Sequence, residues 1–116
     1  MWICTPIGFF SVVQKPAEQH LTIRARVAQD LTRLRENYLP ELGKTISGAG
    51  TDYAHRAHCS HKQWGEALAK MAGDIDYSNF KGHIKRTQGA SRANIYSGVW
   101  SQLWELNRLD RNHEET

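Results

Sequence analysis

From Leu21 to Val27 apolar and polar side chains alternate without a break, with Leu21, Ile23, Ala25 and Val27 on one side and Thr22, Arg24 and Arg26 on the other. A period of two is that of a β-strand with one buried face. A one-residue slip would exchange the two faces, so the register is strongly specified. The chain must therefore build a sheet with one apolar side that needs a cover, and the opposite side must carry arginines.

The remaining elements follow from local patterns. Phe9–Lys15 is rich in aromatic and β-branched residues and is closed by Pro16, which predicts a strand. Residues 16–20 then form a hairpin-length connection to Leu21. Leu31, Leu34 and Tyr38 recur at helical spacing in Ala28–Leu39, and Pro40 ends that helix. A loop from Gly43 to Thr51 leads to a third strand within Asp52–His61. Ser60-His61-Lys62-Gln63 fits a capping box, and Trp64, Ala67, Leu68 and Met71 mark the apolar face of the helix behind it. Asp74–Lys81 is a turn that opens a short helix over Asn79–Arg86. Beyond a break at Gly89–Ser91, Arg92–Leu106 carries Ile95, Tyr96, Val99, Trp100, Leu103 and Trp104, a stripe expected in the core.

The order β-β-α-β-α-α predicts an α+β fold, a small, mostly antiparallel sheet related to the ferredoxin-like arrangement and covered on one face by helices. A crossover through Ala28–Leu39 would make a right-handed βαβ unit. Residues 1–107 are expected to form one domain and 108–116 a charged, frayed tail. At 116 residues and 13.3 kDa the chain can bury a core without covalent staples. The two cysteines, Cys4 and Cys59, make no disulfide framework, so a reducing cytoplasm is the expected compartment. Met1–Phe10 is apolar, but it lacks a basic leader region and is broken by Pro6 and Gly8, so it is read as mature structure and no membrane span is expected. A net charge of +3 is a mild bias towards anionic partners.

Chemistry would be sought first in Asp52–His61, which holds three of the six histidines and one of the two cysteines. On a strand, His55, Ala57, Cys59 and His61 share a side, two imidazoles and a thiol of the type zinc prefers. No C-x-x-C or H-E-x-x-H completes the set, however, and Asp52 is too far from His58 along an extended strand to form a local acid-base dyad. No catalytic residue, no metal and no cofactor are therefore expected, and the purified protein is expected to hold no stoichiometric zinc. The arginines point elsewhere: Arg24, Arg26, Arg56 and His58, with Lys15, would share the open sheet face. Guanidinium groups bind carboxylate and phosphate in bidentate fashion, so this patch suits an anion. The competing expectation is a solvated surface neutralised by Asp52, Asp74 and Asp76.

Gly8-Phe9-Phe10-Ser11-Val12-Val13, Ile23-Arg24-Ala25-Arg26, Asp30-Leu31, Tyr38-Leu39-Pro40, Asp52-Tyr53, Arg56-Ala57, Asp74–Lys81 and Tyr96-Ser97-Gly98-Val99-Trp100, after an initial Met-Trp, together resemble a group of small bacterial hypothetical proteins of unknown function. The resemblance covers nearly the whole chain. It implies that the histidines are peculiar to this chain, because the third strand of that group carries Tyr or Pro near Ala54 and His55 and Val near Cys59. It turns attention to the arginines and to the Asn79-Phe80-Lys81 element. The expected function is a small non-enzymatic binding protein that holds an anionic partner, such as a nucleic acid or nucleoprotein complex, through Arg24, Arg26, Arg56, His58, Asn79 and Lys81. The alternatives are a protein-interaction inhibitor of the anti-CRISPR kind and a histidine-dependent hydrolase or nuclease.

Overall fold

The computed structural model describes residues 1–48 and 52–115, with the backbone alone at 113–115. Ala49 to Thr51, the end of the loop expected before the third strand, and Thr116 lie outside the described residues. The described elements run β1 (Trp2–Thr5), β2 (Gly8–Val13), β3 (Leu21–Ala25), α1 (Ala28–Asn37), β4 (His55–Cys59), α2 (His61–Gly73), α3 (Phe80–Gln88), α4 (Ala90–Leu103) and α5 (Leu106–Glu115). They divide into two compact units, Met1–Asp76 and Tyr77–Thr116.

The first unit is a four-stranded antiparallel meander in the order β1-β2-β3-β4, with α1 and α2 on its apolar side. The α+β expectation holds. The βαβ expectation does not, because β3 and β4 pair antiparallel with Leu21 opposite Cys59 and Ala25 opposite His55. The segment between them returns the chain over the sheet without reversing the hairpin sense. β1 escaped the sequence reading because it is only four residues long and runs into Pro6. The Thr5 hydroxyl makes its turn, accepting from the backbone of Ile7 (3.2 Å) and Gly8 (3.1 Å) and donating to the Gly8 carbonyl (2.8 Å).

Phe10, Val12, Leu21, Ile23, Ala25, Ala57 and Cys59 form the sheet's contribution to the core, met by Leu31 and Leu34 of α1 and by Trp64 and Ala67 of α2. The alternation in β3 is thus realised on its apolar side. Two residues depart from it. Val27 is 41% exposed, because β3 ends at Ala25 and Val27 begins α1 as its N-cap. Thr22, expected to face solvent, is fully buried. Its short side chain lies directly between Val13 of β2 and His58 of β4, larger neighbours on the same side of the sheet.

The capping box at Ser60 is formed as the sequence indicates, with Gln63 N donating to Ser60 Oγ at 3.0 Å and Ser60 N to Gln63 Oε1 at 2.9 Å. Arg35 of α1 holds the next loop, donating to the carbonyls of Leu42 (3.3 Å) and Gly43 (2.7 Å) and to Thr45 Oγ1 (2.9 Å). That loop lines the outer edge of β4 through an antiparallel bridge between Ile46 and Arg56, so the edge strand is not left open.

In the second unit the aromatic stripe of α4 is not a core. Tyr96 and Ala93 are buried along with Ile84 of α3, whereas Ile95, Val99, Trp100, Leu103 and Trp104 are 43–67% exposed. A unit of about forty residues has too little volume to enclose so many large side chains. The segment expected as a tail carries α5, which begins at Leu106. Among the described residues no helix is long and apolar enough to cross a membrane.

Candidate functional site

Strand register builds the site. Trp2 lies opposite Ser11, Ser11 opposite Arg24, and Arg24 opposite Arg56, so one row crosses all four strands. Directly opposed residues project to the same side, and this row is on the side away from the core. Phe9 shares that side one pleat along β2. Thr22 and His58, opposed to each other, share it on β3 and β4. Trp2 is 77% exposed, with its ring edge-on to Phe9 at 6.4 Å.

The arginines converge on Tyr53. The guanidinium carbons of Arg24 and Arg26 lie 4.7 Å and 4.8 Å from the centre of its ring. Tyr53 is thus buried beneath two cations. Each such contact contributes about 0.5–1 kcal/mol at exposed sites and more when desolvated, which offsets part of the repulsion between the cations. Arg24 Nη2 donates to Ser11 Oγ at 2.6 Å, while its Nε is buried without a hydrogen-bond partner. Among the described residues neither Arg24 nor Arg26 forms an ion pair with a carboxylate. Asp74, one of the acids expected to neutralise the patch, accepts from Tyr38 Oη at 2.6 Å.

The structure therefore brings Arg24, Arg26, Arg56 and His58 to one side of one sheet. Asn79 and Lys81 belong to the second unit and have local tasks there. Asn79 Oδ1 caps α3 by accepting from Gly82 N at 3.0 Å, and Lys81 Nζ lies 4.6 Å from the centre of the Trp100 ring.

The histidine run does not converge. His55 Nδ1 is 2.8 Å from Ser47 Oγ, His61 is exposed at the start of α2, and Cys59 is in the core, where burial pushes its thiol up to about 11. A different set does converge. Glu18 and His20, from the β2–β3 connection, and His58 of β4 bring one donor atom each within 4.8 Å of one another. His20 Nε2 stands 3.4 Å from Glu18 Oε2, and the His20 and His58 rings meet edge-on with centres 4.6 Å apart. Burial, followed by the neighbouring His20, lowers the His58 pKa against the opposing pull of Glu18, with Lys15 and Arg56 adding to the lowering. Sequence reasoning missed Glu18 and His20 because they sit in a hairpin turn about forty positions from His58. Their one local signal is a carboxylate and an imidazole spaced by two beside a strand. No protein-family model, curated protein or solved structure matches the chain.

Proposed function

We propose that this protein is a non-enzymatic binding module whose arginine-bearing sheet face takes a single-stranded nucleic acid. The observation that carries the reading is the row Trp2–Ser11–Arg24–Arg56, with Arg26 and Phe9 beside it. Exposed rings offer stacking surfaces to unpaired bases, and guanidinium groups meet phosphates in bidentate fashion. Two cations held over one tyrosine without a carboxylate partner leave positive charge for a ligand to neutralise. The test is fluorescence anisotropy with labelled single-stranded DNA and RNA over a salt series. Affinity should fall as salt rises, through counterion release. Trp2→Ala and Arg26→Glu, both at exposed positions, should each weaken binding by about fivefold or more while the circular dichroism is unchanged. Unaltered affinity in the double variant would remove this face as the site.

A second reading, a protein-interaction module, is favoured by the exposed Val99, Trp100 and Leu103 of α4 and Trp104 at its C-cap, since apolar side chains gathered at a surface are a common mark of protein contacts. Under that reading Trp100→Ala with Trp104→Ala abolishes capture of the protein partner and leaves nucleic-acid affinity unchanged.

A further inference from the structure

We propose that Glu18, His20 and His58 form a binding site for a divalent first-row transition metal ion, with zinc as the reference ion. Two imidazoles and one carboxylate supply a nitrogen–oxygen donor set suited to Zn²⁺, Co²⁺ or Fe²⁺ and poorly suited to Mg²⁺ or Ca²⁺, which take oxygen ligands. Three protein donors leave coordination positions for water or an anionic ligand.

Three observations converge on this set. The first is spacing. Donors bonded to tetrahedral zinc at about 2.0–2.1 Å stand about 3.3–3.4 Å apart. His20 Nε2 and Glu18 Oε2 are already 3.4 Å apart, and one donor atom of each of the three residues lies within 4.8 Å of the others. The second is the condition of the donors: both of those atoms are shielded from solvent, yet neither has a hydrogen-bond partner. Buried polar atoms are seldom left so, and an ion between them satisfies both. The third is the surroundings. Thr22, opposite His58 on β3, is fully buried with its hydroxyl unpartnered, which leaves a donor free on the same side to support a metal-bound water or ligand. The hairpin that presents Glu18 also holds Ala17 at φ 65°, the only non-glycine residue with positive φ among the described residues. Such backbone clusters at functional sites. The simpler alternative is an imidazolium–carboxylate pair between these two atoms, which stand 3.4 Å apart without hydrogen-bond geometry.

The test is calorimetric titration of chelator-treated protein with Zn²⁺, repeated with Co²⁺ followed by its visible spectrum. The wild type should bind one equivalent of Zn²⁺, and bound Co²⁺ should show ligand-field bands without a thiolate charge-transfer band. His20→Ala, Glu18→Gln and His58→Gln should each weaken Zn²⁺ binding at least about tenfold. His55→Ala and His61→Ala should leave it unchanged. Zn²⁺ should raise the melting temperature of the wild type and not that of His20→Ala. His20 and Glu18 lie outside the strand ladder, so their variants decide the matter even if His58→Gln folds poorly. No saturable Zn²⁺ binding by the wild type, undiminished binding by His20→Ala, or a loss confined to His55→Ala would overturn the site.

Discussion

Asp30 is 1% exposed, and its carboxylate accepts from the Phe9 backbone at 3.1 Å and from Arg33 at 3.1 Å, tying the start of β2 to the first turn of α1. The carboxylate fits only because residue 8 has no side chain: a Cβ there would stand 2.3 Å from Asp30 Cγ, at a φ of +153°. Gly8→Ala should therefore cost about 3 kcal/mol or more, read as a shifted denaturation midpoint at unchanged slope, since the clash falls on a buried, hydrogen-bonded group. Cys59 makes a pH-dependent contribution of the opposite character. Its folded-state pKa is raised from 9.0 to about 11, so the folded chain keeps the proton that the unfolded chain gives up. Stability from this group is fully present below pH 9 and is lost as the pH rises towards 11. Chemical denaturation at pH 8 and pH 10.5 should show a smaller loss for Cys59→Ala than for the wild type; an equal loss would assign the slope to other groups. At this scale Arg24 and Arg56 could be found from alternation alone, because neighbours in sequence fix their face. Tyr53, Glu18 and His20 could not, because their partners are chosen by strand pairing.

Among the elements, those governed by a local rule were legible. Leu21–Ala25 follows a period of two, and α2 follows the Ser60–Gln63 capping box. β1 carried too few residues for a periodicity. The stripe of α4 carried a helical one, but spacing reports which side chains share a face, and the volume available to cover that face is a property of the whole unit. The loop after α1 is held chiefly by one side chain, Arg35, through three acceptors. A lysine keeps the charge and loses the planar fork that reaches all three, so Arg35→Lys should cost about 1–2 kcal/mol. Its local signature should be faster amide exchange at Gly43 and Ile46, whose backbones bond to β4. Protection at those amides equal to the wild type would show that the bridge to β4 holds the loop without the guanidinium.

For the whole molecule, the residues of the hydrophobic core cluster, from Phe10 to Ala67, belong to the unit Met1–Asp76, as do the partly buried Ile3, Ile7, Tyr38, Leu68 and Met71 beside it. Stability in a small domain comes chiefly from the apolar area it removes from water, and a chain of under eighty residues has only a few kcal/mol in hand. That unit nevertheless contains a complete sheet, both helices that cover it, the Arg35 clamp and the Asp30 tie. A fragment of residues 1–76 should therefore fold cooperatively, with a dispersed amide spectrum and a buried Trp64 emission. Residues 77–116 alone should be largely unstructured, since Ile84, Ala93 and Tyr96 are the only side chains buried there among the described residues. Because the arginine row and the Glu18–His20–His58 set both lie in the first unit, the fragment should retain nucleic-acid and Zn²⁺ binding within about a factor of three of the full chain. A fragment that folds but loses nucleic-acid affinity would move that function to the second unit, and one that fails to fold would show that the core cluster does not sustain the sheet by itself.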